Sequence, residues 1–179
     1  MAVVQMMSAE LLPVGQYLPV LLELRPVLVT PMQEGDYFAH EQVEHRGPDS
    51  FWGLPHFPQT QYYRGGTLPI SETATVFEFV VPMVPPSWND AARVRDHEQQ
   101  LLAGGTPTAL AVSIVDVTQP SDSYQAHWGL THFLLDGHHK IEAAARHNLP
   151  LRILSMIALD AGLAAQQDVS RVLDAFRAE

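Results

Sequence analysis

The chain has 179 residues, 46% of them hydrophobic and 17% charged, a composition that suits one globular domain of ordinary size and excludes disorder of the whole chain. Twenty acidic against ten basic residues give a formal charge of -10, which repels a phosphate backbone and argues against nucleic acid as a partner. The absence of cysteine excludes disulfides, thiolate metal sites and cysteine nucleophiles, and makes the cytoplasm the default compartment.

Residues 1 to 31 are apolar but interrupted by Glu10, Pro13, Pro19, Glu23, Arg25 and Pro26. A spanning helix needs about 20 clean apolar residues, so this segment reads as buried strand or short helix and no membrane span is expected. Residues 31 to 70 are rich in Pro, Gly, His and aromatics without a sustained period, which predicts a long loop region packed onto the body. Within it "YYRGG", 62 to 66, reads as a lid or a hairpin end.

From residue 71 the signals become regular. "TVFEFVV", 75 to 81, predicts a strand stopped by Pro82, with Glu78 pointing away from Phe77 and Phe79 towards solvent. "PSWNDAARVRDHEQQLLAGG" predicts a helix opened by Ser87, with Asp90 three residues on, and closed at Gly104 and Gly105. His97 and Glu98 fall on its wet face. "TALAVSIVDV", 108 to 117, is a nearly continuous apolar strand, and 118 to 126 a turn.

"WGLTHFLL", 128 to 135, predicts a third strand, "HHKIEAAARH" the helix after it, and "LRILSMIA", 151 to 158, a fourth strand. The tail places Val169, Val172, Leu173 and Phe176 on one helical face behind Asp168 as N-cap. The predicted class is therefore α+β, a mixed sheet with packed helices, in a domain of residues 71–179 preceded by an irregular N-terminal extension, residues 1–70, packed on the core.

The junction "FLLDGHHK" carries the most chemistry. A chain that passes from strand to helix within two residues presents first-turn N–H groups and about half a positive charge, an attraction for anions. Gly137 permits close approach of a ligand, and Lys140, the sole lysine, with His138 or His139 adds charge and donors. Asp136 is equally a candidate N-cap whose carboxylate would fill that site itself. Ile141, Ala144 and Ala145 form the inward face of the helix, while Glu142 and Arg146 read as a surface pair. His127 and His132, five apart on a strand, face opposite sides, which breaks a histidine metal cluster, and no metal ligand is assigned.

The segment "HFLLDGHHKIEAAARHNLPLRILSMI" resembles the box of the ParB/sulfiredoxin-like superfamily, and residues 72 to 158 are similar to that family's strand, helix, strand, strand, helix, strand order. The resemblance implies a nucleotide phosphate held by Asp136, Gly137, His138, His139 and Lys140. Asp136, His138 and His139 would be the catalytic groups if phosphotransfer or hydrolysis follows, and a nucleotide with Mg²⁺ the implied cofactor. Sulfiredoxin places its cysteine where this chain has His138, so sulfinic acid reduction is excluded. ParB proteins carry an arginine-rich box and a further DNA-binding domain, for which the roughly twenty residues after the last strand leave no room. In the related serine kinases a separate carboxylate acts, and Glu78 and Glu72 are the candidates here by neighbourhood. The expected partner is a small phosphorylated ligand or, in the alternative reading, a protein bound by a non-catalytic interaction module that keeps the fold.

Overall fold

In a computed structural model, residues 14–31, 35–37, 61–118, 126–162 and 164–177 are described. They form seven strands and three α-helices. The strands are β1 Tyr17–Leu24, β2 Val27–Val29, β3 Tyr62–Ser71, β4 Ala74–Pro82, β5 Thr108–Thr118, β6 Ala126–Asp136 and β7 Leu151–Ala158. The helices are α1 Ala91–Leu102, α2 His138–His147 and α3 Gln166–Arg177. Parts of residues 1–30 and 31–70, and the turn expected at 118–126, lie largely outside the described residues.

All seven strands belong to one mixed sheet in the order β1-β7-β5-β6-β4-β3-β2, with β4/β6 and β5/β7 parallel and the other pairs antiparallel. The class is α+β, as the patterns predict. In the N-terminal segment the strand reading of residues 1 to 31 is seen as β1 and β2, whereas the region expected as loop over 31 to 70 supplies β3, and residue 70 falls inside the β3–β4 hairpin. The Gly-Gly pair that suggested a lid sits within β3, where the register with β4 shifts between Arg64 and Thr67. Such a bulge is the usual place for glycine in a strand.

β1 and β2 lie at opposite edges of the sheet yet are joined through Arg25 and Pro26 alone. Leu24 and Val27 are three Cα steps apart, at most about 11 Å, so the sheet must roll until its edges approach. Leu24 of β1 accordingly packs in one cluster with Tyr63 of β3. The rolled interior is built in layers. Leu24, Tyr63, Val80, Ala111, Leu134 and Ile153 fill the end beneath α1 and α2, where Val94, Ile141 and Ala144 close it. Leu22, Leu68, Val76, Val115, Leu130 and Ile157 fill the other end, closed by Val169, Val172 and Leu173 of α3. At about 1.5–3 kcal/mol for each fully buried aliphatic or aromatic side chain, these two layers dominate the stabilisation.

Helix boundaries follow local chemistry. α1 is capped by Asp90, whose Oδ1 accepts from Ala92 and Arg93 N–H at 2.7 and 3.1 Å, and not by Ser87. Pro86, Ser87 and Trp88 form a 3₁₀ turn ahead of it, because consecutive prolines set φ but withhold the donors an α-turn needs. α3 starts at Gln166, two residues before the expected cap; Asp168 sits in its first turn and reaches back to Ala165 N–H. Gly104, at φ 83°, and Asn148, at φ 51°, end α1 and α2 in left-handed conformation.

Candidate functional site

α1 and α2 lie side by side and point the same way. Asn89, just before α1, donates to His138 O at 3.2 Å and to Glu142 Oε2 at 2.6 Å, while Arg146 at the far end bonds Glu98 at 3.1 Å. Both helix N-termini therefore converge where parallel strands β4 and β6 end, and their dipoles add at that corner. Glu142 also receives Arg146 at 2.6 Å, the surface pair expected from spacing.

Asp136 is not the cap of α2. It closes β6 with its carboxylate exposed and 3.2 Å from Lys140 Nζ, which also donates to Thr108 O at 2.8 Å. The N-cap position belongs to Gly137, at φ 103°, with no side-chain cap hydrogen bond. A side chain is doubly excluded there, since a Cβ would stand 2.6 Å from that of Ala109. The first intrahelical bond is Ile141 N–H to Gly137 O at 2.9 Å, so the N–H groups of His138, His139 and Lys140 precede the ladder.

The two histidines differ. His139 Nε2 accepts from Asp90 N–H at 3.1 Å, which fixes the ring to the start of α1 and places its proton on Nδ1. His138 Nε2 is buried without a hydrogen-bond partner, and burial, with His139 beside it, holds the ring below the usual histidine range against the opposing pull of Asp136. Asp90 is held below the usual carboxylate range by the Arg93 and Ala92 N–H groups it caps. The five box residues are thus brought to one corner, with Lys140 and His139 already engaged.

The candidate separate carboxylates are elsewhere. Glu72 sits exposed at the β3–β4 turn, the opposite end of β4 from the corner. Glu78 is level with Leu130 of β6, six residues and roughly 20 Å before Asp136. It is also 2% exposed, not solvent-facing, because the rolled sheet turns that face of β4 inward.

Glu78 belongs to a second polar feature that lies between the two apolar layers. Ser155 Oγ donates to Ser113 Oγ at 2.7 Å, Ser113 Oγ meets His132 Nδ1 at 2.7 Å, and His132 Nε2 meets Glu78 Oε1 at 3.2 Å. Glu78 Oε2 accepts from Gly66 N–H at 3.0 Å. This belt crosses β7, β5, β6, β4 and the β3 bulge, and its four side chains are at most 2% exposed. A signal for it exists in the text: the inward phase of each strand carries one polar letter, as in Leu151, Ile153, Ser155, Ile157. His127 faces the other side of β6, where Nδ1 lies 2.7 Å from Tyr37 Oη and the ring stacks by Phe77. The expected opposition of His127 and His132 is seen, and among the described residues no group of three metal-ligating side chains forms.

No protein-family model matches the chain, and no characterised sequence or solved structure is significantly similar to it. No helix among the described residues is long and apolar enough to cross a membrane.

Proposed function

We propose that the chain is a ParB/sulfiredoxin-like domain that binds a nucleotide or other phosphorylated small molecule at the corner of Asp136, Gly137, His138, His139 and Lys140. The observation that carries this reading is the uncapped start of α2, with the Asp136 carboxylate turned to Lys140. A phosphate oxygen accepts from the first-turn N–H groups, the converging dipoles favour its charge, and Lys140 supplies a cation by exchanging its present contacts. A neutral His138 offers one ring nitrogen as donor and one as acceptor, the capacity that a proton relay in phosphotransfer or hydrolysis requires. Mg²⁺ would arrive on the nucleotide's own phosphates, the usual mode for that ion.

The second reading, a non-catalytic interaction module, draws on one observation: Lys140 and His139 are already bonded within the protein. A thermal-shift series with ATP, CTP, GTP and pyrophosphate, each with and without Mg²⁺, separates the two. A ligand at a hundredfold excess over its dissociation constant stabilises the fold by about 2.7 kcal/mol. The proposal expects such a shift, abolished in the His138→Ala, Lys140→Ala double variant. Silence across the series, or a shift that survives the double substitution, sinks it.

A further inference from the structure

The connection from β4 to α1 runs along the α2 corner. Pro82, the last residue of β4, is level with Leu134 of β6, two residues short of Asp136, so the chain leaves the sheet beside the corner. At its far end Asn89 donates to His138 O at 3.2 Å and Asp90 N–H donates to His139 Nε2 at 3.1 Å, which pins the connection to the start of α2. Trp88 stands immediately before that anchor.

Trp88 is 75% exposed, yet its backbone is fixed. Trp88 N–H donates to Pro85 O at 2.9 Å and Asn89 N–H to Pro86 O at 3.0 Å, in a turn whose two prolines already restrict φ. Trp128, by contrast, is 5% exposed, packed in the layer that α3 closes and covered by Arg171. An indole gains most when its large faces leave water, and a rigid turn holds the Trp88 faces open to a ligand without an ordering cost. Met83, 59% exposed at the start of the same connection, adds apolar surface.

One Cα step of about 3.8 Å separates Trp88 from the residue bonded to His138 O. The corner also carries a buried polar atom for which the protein supplies no partner, His138 Nε2, and such atoms are nearly always paired. We infer that Trp88 sets the ligand class of the corner: its indole stacks on the base of a nucleotide whose phosphates lie at Gly137 to Lys140. The inference rests on the corner binding phosphate. Every base has a π face, so Trp88 selects a nucleotide over a bare or sugar phosphate without choosing one base. At the strength usual for base–aromatic stacking, loss of the indole weakens a nucleotide about fivefold or more.

The test is calorimetric titration of the full chain with Mg²⁺ and ATP, GTP, CTP or UTP, against inorganic tripolyphosphate, which has the phosphates without the base. The tightest nucleotide is expected to bind at least about fivefold better than tripolyphosphate and, unlike it, to quench tryptophan emission. Trp88→Ala should bring that nucleotide down to the level of tripolyphosphate and abolish the quench, and Trp88→Phe should restore most of the affinity. Equal affinity of tripolyphosphate and all four nucleotides would overturn the inference and leave the phosphate corner standing. A Trp88→Ala loss that is the same for tripolyphosphate would overturn it too, by making Trp88 a structural support. Binding by none of the five compounds would remove the corner itself, and this inference with it.

Discussion

The α2 corner and the polar belt sit on the same strand, β6, four residues apart at His132 and Asp136, and handle charge in opposite ways. The corner gathers positive potential at the surface from helix ends, and its carboxylate is exposed beside a lysine. The belt buries a carboxylate among hydroxyls and an imidazole, between two apolar layers. Exposed partners contribute little to stability because water screens them, whereas buried ones are expensive to disturb. Substitutions in the two regions should therefore differ in size and in what they change.

The largest effect is expected for His132→Ala. It leaves the buried Glu78 carboxyl without its ring partner, for a loss of about 3–5 kcal/mol in urea unfolding at pH 7; a loss below about 1 kcal/mol would mean that the belt is not coupled as drawn. Gly137→Ala comes next, at about 2 kcal/mol, since it forces a left-handed backbone on alanine and drives a methyl towards Ala109. Its companion readout is loss of nucleotide binding, which His132→Ala should spare if the variant folds.

A pH effect follows for the corner. His138 is held below its ordinary value of 6.5, so on acidification the unfolded chain takes up a proton before the folded one does. Stability should fall as pH drops below 6.5, down to the folded-state value, and His138→Gln should flatten that part of the profile. Smallest is Asp136→Asn, which removes an exposed pair with Lys140 and should shift stability by no more than about 0.5 kcal/mol. It should tighten phosphate binding by removing a negative charge, and a weakening instead would make Asp136 a direct ligand of the bound group.

The two regions also differ in how far the amino-acid text discloses them. The corner is contiguous: strand, glycine and helix start follow one another within a few letters, so its geometry was legible apart from the role of Asp136, which turns on a competition between capping and Lys140. The belt is assembled from β4, β5, β6 and β7 by strand pairing, and no local pattern joins Glu78 to Ser155. A polar residue on the apolar phase of one strand reads as an exposed side chain. Four such residues, one on each of four adjacent strands, acquire meaning only after the strand order is known. Ser87 was outcompeted as a cap by Asp90 for a local reason, the rigid prolines before it. The Gly65–Gly66 pair concealed a strand because a bulge breaks the alternation by which strands are recognised.

The two-residue joint between β1 and β2 has a kinetic consequence. The hairpin of β3 and β4 and the pair of β5 and β6 bring together residues near in sequence, but β1 must find β7, with Leu24 opposite Leu151. Contacts between distant parts of a chain form late and slow the folding of sheet proteins. Docking of β1 therefore acts as the latch of the rolled sheet. Until it closes, Leu22 and Leu24 are missing from the two apolar layers, and both ends of the interior stay open to water.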